Sequence, residues 1–187
     1  MTTSYWALGL MSGTSMDGID SALLRSDGTQ ILELGPAMTL SYDTAFKQRL
    51  RAALGSEGQL DKLECDLTQL HAEAVRLLLG KARMAAADVY CVGFHGQTIC
   101  HAPERRFTRQ LGDGSLLAHE TGIDVVSDFR SLDVREGGEG APLAPLYHRA
   151  LAQDLERPLA VLNLGGVSNV TGLGESEGEI LAFDCGP

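Results

Sequence analysis

The residue types able to do chemistry gather at four places in this 187-residue chain. The first is Leu8-Gly9-Leu10-Met11-Ser12-Gly13-Thr14-Ser15-Met16-Asp17-Gly18-Ile19-Asp20, a glycine and hydroxyl segment between two apolar runs. Glycine permits φ > 0 and lets backbone approach a ligand closely. Consecutive backbone N–H groups, with the Ser12, Thr14 and Ser15 hydroxyls, could then surround phosphoryl oxygens. An ordinary hairpin whose Ser and Thr make only local turn bonds uses the same residues. The second place is Gly93-Phe94-His95-Gly96-Gln97-Thr98. His95 and Gln97 can orient hydroxyl groups by accepting and donating hydrogen bonds; a loop histidine satisfied by nearby backbone is the rival reading. The third runs from Ser127 to Pro142. In it Arg130 offers a rigid donor fork suited to a carboxylate or phosphate, and Asp128 could hold that arginine or take a sugar hydroxyl. Its rival is a solvated loop with an internal ion pair. The fourth, Gly165-Gly166-Val167-Ser168-Asn169-Val170-Thr171, repeats the physical plan of the first.

These segments need strands to aim them. Tyr5–Met11 and Ile19–Leu24 read as two strands around a tight turn, and Gln30–Leu40 as a third. Asp43 can cap a helix running to Leu54, where Gly55 stops it. Leu60, Leu63, Leu67, Leu70, Ala74 and Leu77 recur at three or four residues, which predicts a second, longer helix with one apolar stripe. His71 beside that stripe reads as structural. Val89–Phe94 is a short apolar strand emptying into the His95 loop, where ligands of open α/β sheets tend to sit. Phe107–Leu111 predicts another strand, Gly112-Asp113-Gly114 a turn before a short helix through Glu120, and Ile123–Val126 a buried strand. The stretch Ser127–Pro142 reads as a loop with glycines that could close over a ligand. Pro145–Leu155 is helical, Arg157-Pro158 breaks it, and Leu159–Leu164, the Gly165-Gly166 turn and Glu179–Phe183 begin a fresh set of strands.

Composition limits the partners. Hydrophobic residues make up 44% of the chain, enough for a packed core. A formal net charge of -10 argues against nucleic acid or an anionic membrane as the main partner. The four cysteines, Cys65, Cys91, Cys100 and Cys185, form no CxxC pair, so reduced, mostly buried thiols are expected rather than a zinc site. With no signal-like opening and no run of membrane length, the expected location is cytoplasmic.

Three strands, alternating helices and strands, then a new run of strands is the order of a ribonuclease H-like α/β domain followed by the start of another. Two such domains with glycine hairpins facing one cleft resemble the sugar kinase, Hsp70 and actin superfamily. Within it, the first segment, Phe94-His95-Gly96-Gln97-Thr98, Ser127-Asp128-Phe129-Arg130, Gly140-Ala141-Pro142-Leu143, Asn163-Leu164-Gly165-Gly166-Val167-Ser168-Asn169 and Phe183-Asp184-Cys185-Gly186-Pro187 resemble the anhydro-N-acetylmuramic acid kinase family.

That resemblance implies a kinase that uses ATP and Mg²⁺ to phosphorylate O6 of 1,6-anhydro-N-acetylmuramic acid while water opens the anhydro bridge at C1. It implies Asp184 as the base activating the water. Gly9, Ser12, Gly13, Thr14, Ser15, Asp17, Gly18, Asp20, Gly165 and Gly166 would hold the nucleotide phosphates. His95, Gln97, Asp128 and Arg130 would line the sugar side, with Arg130 on the lactyl carboxylate. Met11 and Asn163 stand where much of the superfamily has aspartate, so no metal ligand is assigned, although Asp17 could assist through water.

The expected division is a first domain over 1–157 and the start of a second over 158–187. Family members run to roughly twice this length, so residues 1–187 alone are expected to lack the adenosine site. A non-catalytic sugar-binding lobe is the alternative to an active kinase. The partners implied are a small sugar and ATP, and a homodimer is compatible with the family.

Overall fold

The opening hairpin forms because two apolar strands flank a turn rich in small residues. The computed structural model describes residues 3–164, 168–176 and 178–186. In it β1 (Tyr5–Ser12) and β2 (Gly18–Ser26) pair antiparallel from Tyr5 opposite Ser26 to Ser12 opposite Ile19. β3 (Ile31–Ser41) continues the meander. Leu8, Leu10, Ile19 and Leu23 are buried on one face, while Gly9, Met11, Asp20 and Ala22 show to solvent on the other, the alternation a pleated strand requires.

Two helices cover the buried face. α1 (Thr44–Ala53) starts at Asp43, whose Oδ1 accepts from the Phe46 amide at 2.7 Å, and Gly55 follows its end at φ +74°. α2 (Asp61–Ala82) packs on β2 and β3. Its buried stripe is Leu63, Leu67, His71, Ala74, Val75 and Leu78. The expected Leu77 is exposed instead. A strict three-and-four spacing drifts around a 3.6-residue helix, so Leu78 takes the inward place.

The largest departure from the sequence reading is β4. Instead of a six-residue strand ending in a loop, it runs Val89–Ala102, with Gly96 at φ +68° inside it. Its first half lies parallel to β1 and, on the other side, to β6 (Val125–Ser127). Its second half pairs antiparallel with β5 (Phe107–Leu111). Gly96 is the pivot: a Cβ there would sit 2.3 Å from the Leu111 carbonyl oxygen. The sheet therefore runs β3-β2-β1-β4, with β5 and β6 sharing the edge of β4 away from β1. β6 is shorter than the expected Ile123–Val126 strand: Ile123 is buried ahead of it and Val126 is exposed within it.

α3 (Gly114–Thr121) is capped by Asp113, whose Oδ1 accepts from the Ser115 and Leu116 amides, and it packs on α2 and β6. The segment expected as a loop from Ser127 contains a short helix, α4 (Ser131–Glu136), against β5. α5 (Ala144–Leu151) leads to a second, three-stranded antiparallel sheet of β7 (Leu159–Asn163), β8 (Ser168–Leu173) and β9 (Ile180–Gly186). α5 touches β8 and β9 on the side of buried Thr171 and Leu173, and His148 Nδ1 lies 2.9 Å from Thr171 Oγ1. On the opposite side Leu162, Leu181 and Phe183 are exposed. The expected burial of the thiols is only partial: Cys65, Cys91 and Cys100 are half-buried and Cys185 is exposed, all free. Burial, with Asp124 nearby, pushes the Cys91 thiol up.

Candidate functional site

The tip of the first hairpin is a closed turn with its side chains outward. The Met16 amide donates to the Gly13 carbonyl at 3.0 Å, Met16 is held at φ +54° with its side chain buried, and Thr14, Ser15 and Asp17 are exposed. The Asp17 carbonyl accepts from the Tyr42 amide at 3.0 Å, and its carboxylate lies 3.8 Å from Lys47 Nζ. Gly18 is obligatory for another reason than ligand approach, since a Cβ would meet the Leu40 carbonyl oxygen at 2.3 Å. Gly9 and Asp20 line a separate cleft of about 740 Å³ on the open face of the sheet, with Met11, Ala22, Ala37, Gly93 and Phe129. There Asp20 Oδ1 accepts from Thr39 Oγ1 at 2.5 Å.

Ser12 and Gln97 meet beneath the hairpin. Ser12 Oγ donates to Gln97 Oε1 at 2.5 Å and accepts from the Tyr42 hydroxyl at 2.8 Å, and all three side chains are buried. Burial pushes the Tyr42 phenol well up, so it remains a donor. The cause of this meeting is the irregularity at Gly96. Leu10 is opposite Phe94, but Ser12 is opposite Gln97, so two steps on β1 match three on β4. One extra residue reverses the pleat. His95 and Gln97, two apart in sequence, consequently leave the strand on opposite faces.

His95 belongs to a different group. Its Nε2 lies 3.0 Å from Arg130 Nε, and its Nδ1 lies 2.9 Å from the Gly96 carbonyl oxygen. A guanidinium can only donate and a carbonyl can only accept. The imidazole is therefore neutral with its proton on Nδ1, and burial, reinforced by Arg130 and opposed by the Gly96 carbonyl, holds its pKa below the ordinary value. Arg130 Nη1 donates to the Gly140 carbonyl at 2.8 Å. The partner that sequence considered for Arg130, Asp128, instead sits at φ +57° and accepts from the Ser131 amide at 3.3 Å, at the start of α4. Asp133 was missed by sequence reasoning: its Oδ2 accepts from the Gly140 amide at 2.7 Å, so the Gly140 residue is held at both its N–H and its C=O. The signal was present in the glycine at 140, whose φ of +66° brings that tight return onto α4. Glu64 and Thr68 of α2 were also missed; they accept from the Gly112 and Asp113 amides at 2.9 and 3.0 Å.

The electrostatic result is specific. Arg130 is half-buried and bonded to two neutral acceptors, with no carboxylate among the described residues within 4.0 Å of it. Burial alone lowers its pKa. Three of its five N–H donors are left for an acceptor from outside. Across His95 from it, a polar cleft of about 260 Å³ is lined by Phe94, His95, Thr108, Arg109, Gln110, Ser127, Asp128 and Ser131; Arg130 itself is not among the lining residues.

On the second sheet Asn163, Asn169 and Asp184 lie in one row, Asn163 opposite Asn169 and Asn169 opposite Asp184. Asp184 is exposed, and no hydrogen bond among the described residues joins it to the first sheet. Gly165 and Gly166 lie outside the described residues. Among the described residues no group of three or more His, Cys, Asp or Glu side chains could hold a metal ion, and no helix is long and apolar enough to cross a membrane.

An antiparallel three-strand meander, a fourth strand parallel to the first, helices on the buried face and a second sheet opening with another strand pair define a mixed α/β protein of the ribonuclease H-like, actin-like ATPase class. Comparison of the sequence narrows this to one family. The sequence pattern of anhydro-N-acetylmuramic acid kinase matches residues 5–187, and the chain belongs to that family. It is 56% identical over 189 residues to the anhydro-N-acetylmuramic acid kinase of Rhodospirillum rubrum, covering 98% of this chain and 50% of the relative. It is 55% identical over 181 residues to that of Paramagnetospirillum magneticum, covering 97% and 51%. The chain thus spans about half the length of the curated relatives it matches. A solved exopolyphosphatase-like protein is similar over 98% of this chain and 51% of its own, at 11% identity and a TM-score of 0.45.

Proposed function

We propose that this chain is the sugar-binding and phosphate-binding half of an ATP-dependent kinase acting on 1,6-anhydro-N-acetylmuramic acid. The observation that carries the reading is Arg130, a half-buried cation fixed by neutral acceptors and lacking a protein counterion among the described residues. Such a group is suited to a ligand carboxylate, which a guanidinium can take with two parallel hydrogen bonds. The lactyl ether of the muramic sugar provides one. The polar cleft reached through His95, with Asp128 and Arg109 also on its wall, suits a compact polyhydroxylated ring.

In this reading Gly13, Thr14, Ser15 and Asp17 at the first hairpin, with Gly165 and Gly166, hold the ATP phosphates. Ser12 and Gln97, closed to solvent and bonded to each other, support that hairpin and β4 from beneath. Mg²⁺ bound with the nucleotide would supply charge neutralisation at the phosphoryl group, and Asp17 is the exposed hairpin carboxylate that would meet its water shell. Asp184 takes a proton from the attacking water as its oxygen bonds to C1 and the C1–O6 bond breaks. The freed O6 bonds to the γ-phosphorus while the bond to the β-phosphate oxygen breaks. The products are N-acetylmuramic acid 6-phosphate and ADP, which places the reaction in cell-wall sugar recycling. The domain division at 157/158 follows from the same reading.

The test uses residues 1–187 completed with the second half of the Rhodospirillum rubrum relative, incubated with ATP, Mg²⁺ and the anhydro sugar in ¹⁸O-labelled water. The expected product carries ¹⁸O at C1 and none in the phosphate. Asp184→Asn should keep sugar affinity and lower kcat by about 10³ or more. Sugar binding without any phosphate transfer by the unsubstituted chain would favour the non-catalytic lobe instead.

A further inference from the structure

We infer that His95 is a positioning residue, whose neutral imidazole holds Arg130 with its remaining N–H groups turned to the anionic group of the sugar, and is not itself a sugar contact. The inference rests on the function proposed above and reassigns one residue within it. Both ring nitrogens of His95 are already used, Nδ1 on the Gly96 carbonyl at 2.9 Å and Nε2 on Arg130 Nε at 3.0 Å. Neither neighbour can change its hydrogen-bonding role, so the imidazole has no free polar atom for a hydroxyl. What it does offer is an acceptor at one end of the guanidinium, while the Gly140 carbonyl, 2.8 Å from Nη1, holds the other. These contacts fix the plane of the fork. A long arginine held in this way loses less rotamer freedom when a carboxylate arrives.

The arrangement is also sensitive to pH. Protonation would place a hydrogen on Nε2 facing Arg130 Nε–H, removing the bond and adding repulsion. The charged and titratable groups around His95 do not offset this. Arg130 repels the imidazolium, and Arg109 of β5 is turned to the Gly58 carbonyl at 2.6 Å. His71 of α2 is buried and neutral, and the Asp128 carboxylate is exposed and makes no hydrogen bond or ion pair with the ring among the described residues. A lactyl carboxylate stays ionised down to about pH 4, so between that value and the ordinary histidine value the imidazole is the group that changes.

Three variants of the 187-residue chain test this by calorimetry against two ligands, 1,6-anhydro-N-acetylmuramic acid and 1,6-anhydro-N-acetylglucosamine, which lacks the lactyl group. His95→Phe should weaken the muramic sugar about tenfold more than the other. His95→Gln, which retains an acceptor near the Nε2 position, should recover most of the loss. In the unsubstituted chain muramic affinity should fall as pH drops from 6.5 to 4.5, and in His95→Gln that fall should flatten. Long-range ¹H–¹⁵N spectra of the imidazole nitrogens should show the proton on Nδ1, and in Arg130→Met the Nε2 resonance should shift as it loses its donor while the Gly96 carbonyl keeps the proton on Nδ1. Equal weakening of both sugars, tighter muramic binding at low pH, or a proton on Nε2 would overturn the inference. Failure of the unsubstituted chain to prefer the muramic sugar, with the Nδ1 tautomer observed, would count against the proposed function while leaving the His95–Arg130 pair in place.

Discussion

At the scale of single residues, the described structure sorts the chemically interesting side chains by what their neighbours leave free. His71 is fully buried on α2, its Nδ1 2.8 Å from the Leu67 carbonyl, its Nε2 without a partner among the described residues and its ring 4.8 Å from that of Phe94. Burial, opposed by the Leu67 carbonyl and aided by His95, lowers its pKa to about 4. In the unfolded chain the same group takes up its proton near the ordinary 6.5. Stability from this residue is thus fully present above pH 6.5 and is lost progressively as pH falls from there to 4, by on the order of 3 kcal/mol in all. Urea unfolding at pH 7 and at pH 4.5 should show the loss, and His71→Asn should reduce the slope by about one proton. An unchanged slope would place the titration elsewhere. A structural role for His71 was legible from its place beside the apolar stripe. Arg130 was legible as an anion-binding fork, but its actual partners were not, because His95 and Gly140 are brought to it by strand and loop geometry that spacing does not encode.

At the scale of elements, the first three strands, the Asp43 cap and the Asp113 turn could be read directly, since alternation and capping are local signals. β4 could not. Its continuation past Phe94 passes through His95, Gly96 and further polar residues that read as a turn, and only pairing with β5 makes it a strand. Short α4 was hidden for a similar reason, being set by the Asp128 and Asp133 contacts rather than by periodicity. Gly96→Ala tests how much depends on the pivot. A Cβ would be forced against the Leu111 carbonyl at φ +68°, so a loss of about 2 kcal/mol or more is expected. Gly122→Ala, at φ +69° with open space around it, should cost about 1 kcal/mol by conformation alone. Equal denaturation midpoints for the two variants would show that the crowding at Gly96 relaxes freely.

At the scale of the whole molecule, the two sheets differ in how well they are covered. The first has helices over its apolar face. The second keeps Leu162, Leu181 and Phe183 exposed on the side away from α5. The 187-residue chain should therefore self-associate, and more so in added salt, which screens the repulsion of a net charge of -10. Sedimentation velocity should show larger species that Leu162→Lys combined with Leu181→Lys returns to monomer; persistence of those species would point to another surface. The Ser12–Gln97 bond has a consequence for how the protein is made. Its partners are 85 residues apart. At roughly 5–20 residues per second on a ribosome, the free edge of β1 waits about 4–17 s for β4 to emerge. Throughout that interval the β1–β3 meander is a partner for any other unpaired strand nearby, which makes a holding chaperone most useful to this chain early in its synthesis.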